Sequence, residues 1–322
     1  MVRHPGGEGL TGKVAKPATT TENRPLKGIA LKVAAVGAFI AMFTLIKLAG
    51  PLPPGEIVFF RSFFAIFPVT VYVFFTGEGW SAFRTTDPAG QIWRGVIGVT
   101  SMGLGFYGLT HLPLPEAVVI GYAMPLFTVV LGWAFLKEKV RVYRWSAVIL
   151  GLAGVVMASW PRLTVLNAPD AASRELAFGA LAVIGSAAFA AGAMIQVRRL
   201  VAKEATNTIV LWFSMTSAAL ALLSIPFGWQ MPEPRALGLL VLGGFFGGLG
   251  QVLMTSCYRY ADVSTIAPFE YVSFLLSLAI GWVVFADAPT WQMLAGGLIV
   301  VAAGLAIIWR ERRLGLERSA EG

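Results

Sequence analysis

Charged positions are sparse along this chain and fall in clusters, with long uninterrupted apolar runs between them. Residues 117–136 carry no charge and stop abruptly at Lys137, Glu138, Lys139 and Arg141. A second run, 263–286, stops at Asp287, with Ala288 and Pro289 after it and no basic residue. Both contain a Gly-Trp pair at the same distance from the terminal acid, Gly132–Trp133 before Glu138 and Gly281–Trp282 before Asp287. One helical unit is therefore written twice, with a basic end in one copy only. Basic loops stay on the cytoplasmic side of a membrane, so the two copies are expected to lie in opposite orientations. Such a pairing is the sequence trace of inverted repeats.

Apolar runs of spanning length predict ten transmembrane helices, at about 28–49, 57–76, 92–110, 116–136, 145–160, 176–197, 208–228, 236–258, 263–286 and 291–309. Short connections, such as 111–115 and 260–262, force neighbouring helices to run antiparallel. The one long central connection divides the chain into two five-helix halves. The predicted organisation is a disordered cytoplasmic tail at 1–27, a first repeat at 28–160, an external linker at 161–175, a second repeat at 176–310 and a cytoplasmic tail at 311–322. Gly, Pro, Thr and charge dominate the first tail, which cannot bury a core. The apolar run after it is as long as a full span and lacks a small-residue cleavage site, so no signal peptide is predicted.

Composition agrees with this layout. Hydrophobic residues make up 57% of the 322, charged residues 13%, and the mean hydropathy is +0.73. A soluble domain carries about twice that share of charge. The net charge of +8 is no nucleic-acid footprint, because the basic residues sit in short loops and tails. Of the 25 Lys and Arg, only Lys47, Arg162, Arg174 and Arg235 fall in outer segments when the amino terminus is set inside, and Lys32 and Arg61 fall within spans. That bias places both termini in the cytoplasm and the protein in an inner membrane. Cys257, the single cysteine, excludes an internal disulfide and any multi-cysteine metal site. Nothing in the sequence calls for a cofactor.

Small residues mark where helices approach closely. Gly243, Gly244, Gly247 and Gly248 form two overlapping small-xxx-small pairs, and Gly95, Gly98, Gly103 and Gly105 thin one side of the third span. Such faces would permit a homodimer.

Several of these features together resemble the drug/metabolite transporter superfamily, in particular its EamA-type members. Lys47 closes the first span, and Arg61 lies early in the second after Glu56. Phe106, Tyr107, Gly108 and Leu109 precede a small-residue corner at 113–117, Pro125 interrupts the fourth span, and Glu138 ends it. In the second half Ala267, Pro268, Phe269, Glu270 and Tyr271, followed by Gly281–Trp282 and Asp287, echo the scheme. Asp287 departs from the Glu more usual there but keeps the acid. The resemblance implies a ten-helix transporter with a central cavity between its halves, working by alternating access on a small-molecule substrate. Amino-acid or related metabolite export is the first expectation. Uptake of a vitamin or nucleotide-like metabolite, such as riboflavin or S-adenosylmethionine, is the alternative.

Among single residues Glu270 stands out. It lies about two turns into the ninth span, about 10 Å from its end. A carboxylate there costs about 2.5–3.5 kcal/mol, so it is expected to face a cavity or a partner, either coupling transport to protons or pairing with a basic group. Pro268 removes a backbone donor nearby and frees a carbonyl toward the same space. Arg61 has two readings, a paired-donor contact to a carboxylate or phosphate of the cargo, or a snorkelling structural cation, the second preferred. Lys32 and Lys47, near the ends of the first span, are expected to snorkel. Tyr107, Tyr122, Trp133, Tyr271 and Trp282 lie at depth and would suit a planar cargo, with Tyr122 and Tyr271 favoured by the nearby Pro125 and Pro268. Gln251 and Ser101 add uncharged hydrogen-bonding groups. His111 and Glu116 share an external corner, but no third partner, HExxH, GxSxG or phosphate-cradling loop accompanies them, which argues against an enzyme.

Overall fold

A computed structural model describes residues 24–77, 79–137, 140–164, 170–201, 203–261 and 263–320. Most of the predicted amino-terminal tail, the centre of the linker and Glu138 lie outside these residues. Among the described residues the chain is all-α, without a strand. The helices are α1 Pro25–Leu48, α2 Pro54–Phe75, α3 Pro88–His111, α4 Leu114–Gly121, α5 Ala123–Leu136 and α6 Val142–Leu163 in the first half. The second half holds α7 Ala171–Val201, α8 Thr206–Leu222, α9 Pro234–Cys257, α10 Val263–Ile266, α11 Val272–Phe285 and α12 Trp291–Ala320. Proline opens α1, α2, α3 and α9, where its fixed φ and missing N–H suit a first turn. Asp87 caps α3 by accepting from the Gly90 N–H at 2.9 Å.

Each of the ten predicted spans finds a helix or a broken helix. Among the described residues eight segments are long and apolar enough to cross a membrane, the broken pairs 114–135 and 267–285 each counting as one, and α8 is a shorter apolar helix. The fourth and ninth spans are not continuous. Pro125 cannot donate to the Gly121 carbonyl and its ring crowds that turn, and the chain breaks at Tyr122 between α4 and α5. Pro268 has the same effect in the other half, where a 3-10 segment, Ala267–Tyr271, separates α10 from α11. Both spans then end alike, with Lys137 (φ 52°) and Ala286 (φ 55°) in the left-handed region and the cap N–H returning to the Gly132 and Gly281 carbonyls. Two outer boundaries differ from expectation. Helix α7 begins inside the predicted linker, and α12 runs on to Ala320. The apolar run marks where a membrane would end, whereas good helix formers such as Arg310, Arg312 and Arg313 let the helix continue.

Packing between the halves is reciprocal. Helix α1 lies against α9 and α3 against α7, so the first helix of each half meets the third of the other; α2 meets α8, and α6 meets α12. This exchange is the three-dimensional form of the inverted repeat. A shared core fills the centre, with Ile46, Ile57, Leu112, Leu114, Ile120 and Leu240 among its fully buried members. The outside is strongly apolar, as Phe67, Phe75, Leu275 and Val283 illustrate. The α9 glycines are covered within the chain. A Cβ at Gly244 would come within 2.7 Å of the Phe60 carbonyl on α2, and one at Gly247 within 2.7 Å of the Met42 sulfur on α1. The stripe thus seats two neighbours of the same molecule, not a second copy.

At the end of the bundle where α3 begins, a polar clasp joins the halves. Glu204, after α7, accepts from the hydroxyls of Thr85 (2.8 Å) and Thr86 (2.8 Å) and from the N–H groups of Thr86 (2.6 Å) and Asp87 (3.0 Å). Burial pushes the Glu204 carboxyl up, but these hydrogen bonds outweigh it and hold it below the ordinary carboxylate range. A depressed folded value means the stabilisation is present above the unfolded value and lost as pH falls through the folded one. Melting temperature is therefore expected to drop on acidification through that range, and Glu204→Gln to flatten the drop. An unchanged pH profile in that variant would contradict the clasp.

Candidate functional site

The two helix breaks touch each other beside a cavity of about 400 Å3, walled also by α1, α2, α3 and α7. That volume lies in the range of small-molecule sites. Most of the wall is apolar, from Phe39, Phe43, Met102, Phe106 and Met124, and its polar groups come from Arg61, Ser101, Tyr122, Ser186, Glu270 and Ser273. Both halves contribute.

Glu270 is carried on the 3-10 segment that Pro268 imposes, and its side chain is 45% exposed, toward the cavity it lines. Lys32 on α1, only 4% exposed, donates its Nζ to Glu270 Oε2 and also to the Met254 sulfur at 3.2 Å. The ammonium is thus turned into the bundle, against the snorkelling expected for it. A four-carbon stem can swing either way, and the carboxylate at the cavity edge decides the direction. Lys47 departs from its expectation too. Its Nζ donates to the carbonyls of Leu112 (2.5 Å) and Leu109 (3.5 Å), closing the carboxyl end of α3 where a cation is favoured.

Tyr122 and Tyr271 stand the same distance ahead of Gly132–Trp133 and Gly281–Trp282, one at each helix break. Their rings meet edge to face, with centroids 5.2 Å apart. The Tyr122 hydroxyl lies 2.5 Å from Ser273 Oγ, which donates to the Glu270 carbonyl at 2.6 Å. A chain of contacts therefore links one break to the other and to the carboxylate-bearing residue. Gly304 on α12 leaves room for the Tyr271 phenol, since a Cβ there would collide with its oxygen.

Arg61 is 5% exposed, lines the cavity, and has its Nε and Nη1 buried without a hydrogen-bond partner. The snorkelling preferred for it from sequence is not what the structure shows. Gly247 opposite leaves space for the guanidinium. Arg94, on the first turns of α3, went unnoticed in the sequence because it reads as a loop charge. Its guanidinium lies 3.8 Å from the Phe213 ring, and its Nε and Nη1 are likewise buried without partners.

The remaining sequence candidates are dispersed. Ser101 lines the cavity and donates to the Ser186 carbonyl at 2.9 Å, while Ser186 donates to the Ser101 carbonyl at 2.7 Å, locking α3 to α7. Tyr107 lies by His111, ring centroids 4.2 Å apart, and is not part of the cavity wall. Gln251, on α9, is also outside that wall. Trp133 (52% exposed) meets Trp145 edge-on, and Trp282 is 72% exposed, so both rings sit on the outside of the bundle. Glu116 is held by Arg162 through two hydrogen bonds of 2.8 and 3.0 Å, which leaves no acid–base dyad with His111.

Comparison with known proteins follows this geometry. Residues 26–160 and 177–310 each match the model of the EamA-like transporter family. The pseudopaline exporter CntI of Pseudomonas aeruginosa is 31% identical over 288 residues, covering 87% of this chain and 95% of that protein. The S-adenosylmethionine uptake transporter of Rickettsia felis is 28% identical over 260 residues, covering 80% and 84%. The riboflavin transporter of Vibrio cholerae is 25% identical over 304 residues, covering 92% and 98%. One solved crystal structure superposes with a TM-score of 0.60 at 20% identity, covering 89% of this chain and 98% of its own, a likeness of fold alone.

Proposed function

Because the chain belongs to the EamA-like transporter family and is a multi-pass membrane transporter, we propose that it carries a small organic metabolite by alternating access, its two five-helix repeats rocking about the central cavity. The observation that carries this reading is the cavity itself, placed where both broken helices and both halves meet. Discontinuous helices at a repeat interface are where secondary transporters build their sites. The distribution of basic residues supports an inner membrane with both termini in the cytoplasm.

Export of an amino acid or related metabolite is the first reading. Uptake of a vitamin or nucleotide-like metabolite, such as riboflavin or S-adenosylmethionine, is the second, favoured by the aromatic wall of Phe39, Phe43, Phe106 and Tyr122, behind which Tyr271 packs on Tyr122 outside the wall itself, and by the names of two relatives. Deleting an exporter raises the internal level of its cargo, whereas deleting an importer creates a nutritional requirement.

Glu270, paired with Lys32 and facing the cavity, is the proposed proton-coupling group. Protonation would release Lys32, and the pair would re-form once the proton leaves. Glu270→Gln, assayed on the folded and reconstituted fraction, is expected to abolish concentrative transport while sparing downhill exchange. Concentrative transport at the wild-type level in that variant would remove Glu270 from the coupling step.

A further inference from the structure

The cavity wall carries an unbalanced positive charge. Glu270 is already neutralised by Lys32. Arg61 has no such partner: among the described residues no acid forms an ion pair with it, and its Nε and Nη1 are buried and unsatisfied. Glu56, earlier on the same helix, turns instead to the Gln230 N–H at 3.4 Å. Arg94 adds to the positive field, but its guanidinium is stacked on Phe213 and lies outside the cavity wall. A guanidinium withdrawn from water without a counter-ion is among the costliest arrangements a helix bundle can hold. It is tolerated where an anion arrives to complete it.

We infer that Arg61 is the docking point for a carboxylate of the cargo, whose apolar body lies against Phe39, Phe43 and Phe106. This deepens the carrier reading above, on which it rests, by naming the class as organic carboxylates with an apolar or aromatic body. A guanidinium offers its N–H donors to one planar, singly charged group, a charge-assisted match that a neutral amide does not make. The Lys32–Glu270 pair leaves the opposite pole neutral, so an ammonium on the cargo is not required.

The test is a thermal-shift series on the purified full chain in detergent. The probes are 3-phenylpropionate, L-phenylalanine and N-acetyl-L-phenylalanine, each beside its carboxamide. At least one carboxylate is expected to raise the wild-type melting temperature, and none of the amides. Arg61→Met is expected to melt without ligand no lower than the wild type, since a buried unpaired charge has been removed, and to bind the stabilising carboxylate at least about tenfold more weakly. Arg61→Lys should fall between the two. Equal shifts from acids and amides, no shift from any acid, or undiminished affinity in Arg61→Met would each overturn the assignment. So would a lower melting temperature or failure to fold in Arg61→Met, because that is the behaviour of a structural cation. The carrier reading stands or falls separately, on whether the cavity is reached from both sides of the membrane.

Discussion

Glu270→Gln is expected to lower the unfolding free energy, by less than the ~3–5 kcal/mol that losing one partner of a fully buried ion pair costs, because Glu270 is 45% exposed. The reason is asymmetric burial. Lys32 is 4% exposed and Glu270 45%, so the amide variant keeps an oxygen acceptor but leaves a buried ammonium without its counter-charge, its other acceptor among the described residues being the Met254 sulfur. Lys32→Met should cost clearly less, since the carboxylate left behind faces the cavity. The double variant should recover most of the loss, because no charge remains uncompensated. Denaturant or thermal unfolding of the four proteins in detergent measures this cycle. Equal and small losses in both single variants would mean that the pair is open to water and does not form as described.

Gly248→Ala and Gly103→Ala should move stability in opposite directions. A Cβ at Gly248 would stand 2.6 Å from the Ala65 carbonyl oxygen and 2.8 Å from its Cα. Those are backbone atoms of α2, unable to rotate aside, so α9 must lift from its neighbour. Overpacking of this kind costs about 1–3 kcal/mol. At Gly103 nothing lies within 4 Å of the added carbon. The α3 helix then gains up to about 1 kcal/mol from the better helix former. Unfolding measurements that found both substitutions equally harmful would contradict the packing of α9 on α2.

Much of this layout was legible in the sequence because lipid is an unforgiving solvent. Spans of fixed length and asymmetric loop charge are consequences of the bilayer, and the repeated Gly-Trp unit exposed the two-fold pattern. Tyr122 and Tyr271 could be singled out because a nearby proline breaks each helix, although the break falls at Tyr122 and not at Pro125 itself. Which side of a helix faces inward was not legible. In α1, α5 and α11 nearly every residue is apolar, so periodicity does not separate the lipid face from the core. Trp133 and Trp282 accordingly looked as deep as Tyr122 but point outward. The pairing of Lys32 with Glu270 spans most of the chain, and only the folded bundle brings the two together. Arg94 was hidden because a charge near a span end reads as a loop residue until the helix around it is seen.

The central proposal, a cavity that opens alternately to the two sides, can be tested without knowing the cargo. Cys257 is buried and is the chain's single cysteine, so a Cys257→Ala background leaves no native thiol. Met102→Cys in that background places one thiol on the cavity wall. The measurement is labelling by a membrane-impermeant maleimide, applied separately to right-side-out and inside-out vesicles. Alternating access predicts labelling from both sides, with each rate set by how often the cavity opens that way. Labelling from one side only would contradict it.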